Sequence, residues 1–165
     1  SYQIIKINVS SKGKAPLRED IAWAMLLTAR QHFGDKQKLR LFDPFCGSGT
    51  IAIEAAVMAA DLPPGRLRCV PLQGTMWEDE AEWEALVREV RERADDNAGD
   101  SVRVFGSDRD EGVVEMAKRN AERAGVGHLV SFNACAMSAS LSMPKKDDVI
   151  VVTNPPFGRR VGKGR

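Results

Sequence analysis

Apolar residues recur along this chain in two rhythms. Leu17, Ile21, Met25 and Thr28 follow Pro16 at steps of four and three. That spacing predicts a helix opening on a first-turn proline and ending near Gly34. Leu39 to Asp43 reads as a short strand, and Thr50 to Ala60, small and nearly all apolar, as a helix buried against a sheet. The proline- and glycine-rich run Leu62 to Gly74 predicts a loop, and the acidic stretch Glu78 to Ala94 a helix. Val102 to Phe105 is the next strand. Val113, Ala117, Ala121 and Ala124 then place one helix face on the core, with Gly125 closing the helix. Leu129 to Phe132 and Asp148 to Thr153 are two more strands, the second continuously apolar (Val-Ile-Val-Val) as expected for burial on both faces. Strands separated by helices predict a parallel, three-layer α/β sheet. Ligands on such sheets sit at the carboxyl ends of strands, where the winding reverses.

Three strand ends carry chemistry. After the first comes Asp43-Pro44-Phe45-Cys46-Gly47-Ser48-Gly49-Thr50. Its two glycines let the backbone turn tightly and approach a ligand, and the following helix aims its amino-terminal dipole at the same spot. Gly47, Gly49 and Ala52 also satisfy a loose dinucleotide fingerprint. After the second strand comes Gly106-Ser107-Asp108-Arg109-Asp110. Asp108 is placed either to accept hydrogen bonds from the ribose hydroxyls of an adenosine ligand or to cap the next helix. After the last strand comes Asn154-Pro155-Pro156-Phe157-Gly158. The two prolines fix the backbone and remove its donors. The Asn154 amide oxygen and the Pro155 carbonyl can then accept hydrogen bonds from one amino group, while Phe157 stacks on the ring bearing it. A proline turn ending a strand explains this tetrapeptide in isolation, but not its company at three successive strand ends.

The first and third of these segments resemble the signature motifs of class I S-adenosylmethionine-dependent amino-methyltransferases. The chain is most similar to the THUMP-associated RNA guanine-N2 methyltransferases, through Ala15-Pro16-Leu17, Gly106-Ser107-Asp108, the Pro64-Gly65 segment and a helix bearing Trp77 and Trp83. The resemblance implies a Rossmann-like three-layer sandwich, a bound S-adenosylmethionine and an RNA substrate, ribosomal or transfer. Residues 1–165 would be one methyltransferase domain with an inserted loop and acidic helix at about 61–100. Cofactor binding falls to Asp43, Phe45, Gly47, Ser48, Gly49, Thr50, Asp108, Arg109, Asn133 and Asn154, and catalysis to Asn154, Pro155, Pro156 and Phe157. Asp43 is the candidate partner of the cofactor's ammonium, or else a buried acid satisfying amides of the glycine loop. Two departures stand out. Asn133-Ala134-Cys135-Ala136 lacks the acid the family carries near the adenine. Three further strands after Arg165 and a preceding THUMP module, both expected from the family, lie outside the chain. It therefore reads as a fragment or as a protein completed by a partner, with the Asp148–Thr153 strand left as an unprotected sheet edge.

Composition narrows the classes. With 43% hydrophobic and 28% charged residues the chain is an ordinary globular domain. It has no apolar run of the roughly 18 residues a membrane helix requires. Ser1 to Ser10 lacks a signal-peptide layout, so the expected compartment is the cytoplasm. Cys46, Cys69 and Cys135 show no metal spacing, and no metal is expected. Ten acids against three bases between Met76 and Asp100 give that segment a net −7, so the remainder carries +8 within an overall charge of +1. That leaves either a basic face for RNA or scattered surface lysines. Arg159, Arg160, Lys163 and Arg165 adjoin the Asn154 loop and read either as phosphate contacts or as a frayed end. Trp23, Trp77 and Trp83 read as core or interface anchors. A nicotinamide-dependent oxidoreductase would need an acid about 20 residues after the glycines. Asp108 follows Gly49 by 59, and His32, His128 and Tyr2 lie outside the three loops. Adenine-N6 methylation of DNA or RNA and a non-catalytic scaffold are the remaining alternatives.

Overall fold

The computed structural model describes residues 3–5, 17–33, 40–62, 79–97, 103–140 and 149–156. The strands are β1 (Gln3–Ile5), β2 (Arg40–Asp43), β3 (Arg103–Asp108), β4 (Val130–Ala134) and β5 (Val149–Val152). They form one sheet in the order β1-β5-β2-β3-β4, with every pairing parallel. The helices are α1 (Glu19–Phe33), α2 (Thr50–Ala59), α3 (Glu80–Asn97), α4 (Glu111–Arg123) and the single turn α5 (Met137–Ser140). α2 packs between α1 and α4, and all three contact the sheet.

Side-chain alternation along the strands explains the layers. Leu41, Val104, Phe132, Ile150 and Val152 join the core under these helices, with Met25, Ile51 and Val114 among the residues they meet. Phe42 and Val149 point to the opposite face, and they are buried too. On that opposite face the centre is buried, at Phe42, Ser107 and Val149, while Ser131 and Asn133 of β4 are exposed.

The winding decides where a ligand goes. From β2 the chain moves outward through β3 to β4, then returns to form β5 on the other side of β2. The reversal falls between β2 and β5, so the crevice lies beyond Asp43 and Val152.

Two expectations are corrected. The Asp148–Thr153 strand is not an edge: β5 sits between β2 and β1, with Gln3 to Ile5 registered on Ile150 to Val152. A strand buried on both faces belongs inside a sheet, and three N-terminal residues supply its second neighbour. In α4, Val114 rather than Val113 faces the core, at 1% exposure, alongside Ala117, Ala121 and Ala124. The end of α4 matches expectation. Gly125 has φ +70°, its amide donates to Glu122, and the Val126 amide donates to Ala121. This is a Schellman closure.

Trp23 packs against the core, and Trp83 is half-buried on α3. Gly34, Pro64-Gly65, Cys69, Trp77, Phe157 and the basic tail lie outside the described residues. Among the described residues, no helix is long and apolar enough to cross a membrane, and no group of three His, Cys, Asp or Glu is placed to hold a metal ion.

Candidate functional site

Because all strands are parallel, the ends of β5, β2, β3 and β4 stand side by side on one rim of the sheet. The glycine loop leaves β2 and is stitched to its neighbours by backbone bonds. The Cys46 amide donates to Ser107 O at 2.9 Å and the Gly49 amide to Cys46 O at 2.8 Å. From α4, Asn120 Nδ2 donates to Ser48 O at 3.0 Å. Gly47 and Gly49 hold φ of +53° and +89°, where a side chain is strained. At Gly49 a Cβ would also stand 3.1 Å from both Ala117 Cβ and the Phe132 ring. α2 then starts without any side-chain cap and without an acid in its first turn, leaving its amide end to the crevice.

Asp108, at the end of β3, is half-buried. Its Oδ2 accepts from the Gly47 amide at 3.2 Å and its Oδ1 from the Asp110 amide at 3.1 Å. The capping explanation for Asp108 fails, because Asp110 caps α4 by accepting from the Val113 amide. Asp108 instead bridges the glycine loop and the β3–α4 turn, with lone pairs remaining on each oxygen for further donors.

Asp43 is 1% exposed. Its Oδ1 accepts from the Phe45 amide at 3.1 Å and from Thr153 Oγ1 at 2.6 Å. The structural role weighed for it is present at one amide of the loop, that of Phe45. A cofactor ammonium would have to meet what remains of a carboxylate already engaged. Burial pushes the Asp43 carboxyl up to about 7, against the two hydrogen bonds that hold it down, with the Asp108 charge adding to the rise. The folded chain therefore keeps a proton on Asp43 that the unfolded chain, with an ordinary value of 3.8, releases. The contribution is fully present below about pH 4 and is lost as pH rises to 7, at up to about 1.4 kcal/mol per unit. Asp43→Asn removes that slope. Urea unfolding between pH 4.5 and 7.5 should show the wild type losing stability relative to the variant, and parallel profiles would refute the assignment.

Asn154 and its neighbours complete the crevice. Asn154 Oδ1 is buried and, among the described residues, has no hydrogen-bond partner. Pro155 is half-buried and Pro156 exposed. Buried acceptors are nearly always paired, so this unpaired oxygen at the winding reversal is an exception among the described residues. Cys46 is buried in the glycine loop, and burial pushes its thiol up to about 12, with the Asp43 and Asp108 charges reinforcing the shift. That excludes a ready thiolate nucleophile.

The structure thus gathers Asp43, Phe45, Gly47, Ser48, Gly49, Thr50, Asp108 and Asn154 on one rim. Asn133 is different. It is paired in register with Ser107, and the pleat turns its exposed side chain to the face opposite Phe132 and Asp108. Arg109 is exposed beyond the strand end. Sequence reasoning missed Thr153 and Asn120. Each carried a faint signal: a hydroxyl ending an apolar strand, and an amide on the alanine face of α4.

Comparison with known proteins agrees with this geometry. Residues 9–165 match the family described as UPF0020, an RMKL-like methyltransferase domain. The chain is 44% identical over 152 residues to a ribosomal RNA large subunit methyltransferase K/L of Legionella pneumophila, covering 92% of this chain and 21% of that protein. It is 40% identical over 155 residues to the protein of the same name from Shewanella baltica, covering 93% and 21%. It thus spans about a fifth of the length of these relatives. Among solved structures, a Listeria monocytogenes protein described as a predicted N6-adenine-specific DNA methylase superposes with a TM-score of 0.72. It is 31% identical, over 92% of this chain and 38% of that one. SMU.472, assigned to the methyltransferases and complexed with SAH, superposes at 0.68 with 32% identity over 90% and 37%. By its glycine loop, its Asn-Pro-Pro strand end and this match over almost its whole length, the chain belongs to the RMKL-like methyltransferase domain family.

Proposed function

We propose that this chain is the cofactor-binding and catalytic domain of an S-adenosylmethionine-dependent methyltransferase acting on the N2 amine of a guanine in ribosomal RNA. The observation that carries the reading is the buried Asn154 Oδ1 at the winding reversal, without a partner among the described residues and followed by two prolines. When bound, S-adenosylmethionine supplies an electrophilic methyl group. The glycine loop and the uncapped start of α2 suit its carboxylate end, and Asp108 suits its ribose hydroxyls.

The protein's task is the nucleophile, an aromatic amine whose lone pair is delocalised into the ring. Asn154 Oδ1 and the Pro155 carbonyl accept its two hydrogens and turn the lone pair out of conjugation, toward the methyl. Phe157 stacks on a base that has left any helical stack. Alignment is the main source of acceleration. As the N–C bond forms and the S–C bond breaks, the amine's surplus proton passes to water.

Ribosomal RNA is favoured over transfer RNA because relatives at 40–44% identity are named for it. A ribosomal RNA substrate supports a cytoplasmic reading. RNA capture is assigned to the basic tail and to a THUMP-type module outside this chain. Residues 1–165 act as one domain with 61–100 as an insertion. Adenine N6 is the second reading, favoured by the description of the Listeria structure.

The test is calorimetric titration of S-adenosylmethionine into the wild type and Asp108→Ala, followed by label transfer to RNA with guanine or adenine acceptors. The wild type should bind, and the variant should bind at least tenfold more weakly, about 1.4 kcal/mol. A folded wild type that does not bind would sink the proposal.

A further inference from the structure

The strand-end acid and the Asn154 loop meet at one buried contact. The backbone ladder between β2 and β5 ends at Phe42 and Val151. Beyond it, Thr153 Oγ1 donates to Asp43 Oδ1 at 2.6 Å, across 110 residues of sequence. Both residues are buried, at 7% and 1% exposure. The same Oδ1 accepts the Phe45 amide. One oxygen atom therefore joins the opening of the glycine loop to the opening of the Asn154 loop, at the place where the winding reverses.

The residues after Thr153 make that contact a lever. Pro155 and Pro156 have fixed φ and no backbone donor, and each restricts the residue before it. The arm from Asn154 to Pro156 is thus stiff, and its direction is set where it leaves the sheet. Among the described residues, Asn154 Oδ1 forms no bond that would hold it in place. Its aim must come from the backbone on which it stands.

We propose that Thr153 is a positioning residue for methyl transfer, its hydroxyl fixing the Asn154–Pro156 arm against the glycine loop through Asp43. This rests on the methyltransferase reading above. The hydroxyl is bonded to Asp43, and through it sets the distance between the two loops assigned to cofactor and base. A displacement of about 1 Å between reacting groups costs on the order of 100-fold in rate. Cofactor affinity, which depends on the glycine loop and Asp108, should be spared.

The experiment compares wild type, Thr153→Val and Thr153→Ser in the protein that carries this chain. It uses labelled S-adenosylmethionine and unmodified ribosomal RNA at saturating concentrations. Calorimetry counts the cofactor-binding sites, and single-turnover rates are expressed per site, so a partly unfolded variant still yields a true rate. Should the Val variant not fold, Thr153→Ala takes its place. The expected result is a rate lowered about 100-fold in Thr153→Val at unchanged cofactor affinity, with Thr153→Ser restoring the rate. A Val variant as fast as wild type overturns the proposal, as does equal impairment of Val and Ser. Parallel loss of affinity and rate also overturns it, since that marks a merely structural threonine. A wild type that binds cofactor but transfers nothing overturns the proposed function itself, and the role of Thr153 with it.

Discussion

Asn154→Ala should slow methyl transfer by about 10²–10³-fold while leaving the fold as stable as before, or more so. Removing one preorganised polar group from a reaction centre costs about 10²–10³ in rate, or about 2.7–4 kcal/mol. In the proposed mechanism Asn154 Oδ1 steers the amine, and the Pro155 carbonyl alone cannot hold both hydrogens. The stability side has the opposite sign. A buried acceptor without a partner costs the fold about 1–3 kcal/mol of desolvation. Asn154 Oδ1 is such an atom. Deleting it sacrifices no bond through that oxygen and relieves that cost. Most buried polar residues lose stability and activity together, so opposite movements single out a group kept for function. Single-turnover transfer and urea unfolding of the same preparations measure both. A variant that keeps wild-type transfer would take Asn154 out of the proposed mechanism; a wild type without transfer would return the chain to the scaffold reading.

Gly106→Ala should be the most damaging small substitution for the fold. A Cβ at this position would stand 2.6 and 2.7 Å from Cδ1 and Cε1 of Phe132 and 3.1 Å from Cys46 Cβ. Gly106 and Phe132 are paired in register on β3 and β4, so the ring lies across the glycine. Phe132 is 7% exposed, and the far end of its ring is already in reach of Gly49. It has nowhere to swing. Overpacking of this kind costs about 1–3 kcal/mol. For a domain of this size each kcal/mol lowers the melting temperature by roughly 2–4 °C. The strain also reaches the cofactor, because Cys46 and Gly49 are what the methyl and the displaced ring press upon. Thermal unfolding should therefore fall together with S-adenosylmethionine affinity. Adding Phe132→Leu should recover part of both, a coupling expected of residues in contact. An unchanged melting temperature would mean that the ring has more room than its packing shows.

Much of this protein is written locally in its sequence. Spacings of three and four residues marked α1 and α4, and a small, nearly all-apolar run marked α2. The unbroken Val-Ile-Val-Val run marked β5 as buried on both faces. Gly125 marked the end of α4, and three loops at strand ends marked the rim on which the site stands. Each of these signals spans one element, because helix faces, strand burial and turn glycines depend on near neighbours. Register and contact across the sheet were not written there. Gln3 to Ile5 is too short to show a period, and it becomes a strand through β5, which needs a neighbour on its open side. The choice between Val113 and Val114 depends on how α4 lies on the sheet. Asp108 and Asp110 are equally good caps on paper, and the Gly47 amide, 61 residues from Asp108, decides between them. Asp43 and Thr153 are separated by 110 residues. Nothing in either segment points to the other until parallel pairing of β2 with β5 brings their ends together. The sequence determined which groups stand at the strand ends; closure of the sheet decided which of them touch, because long-range pairing is the part of folding that local pattern does not encode.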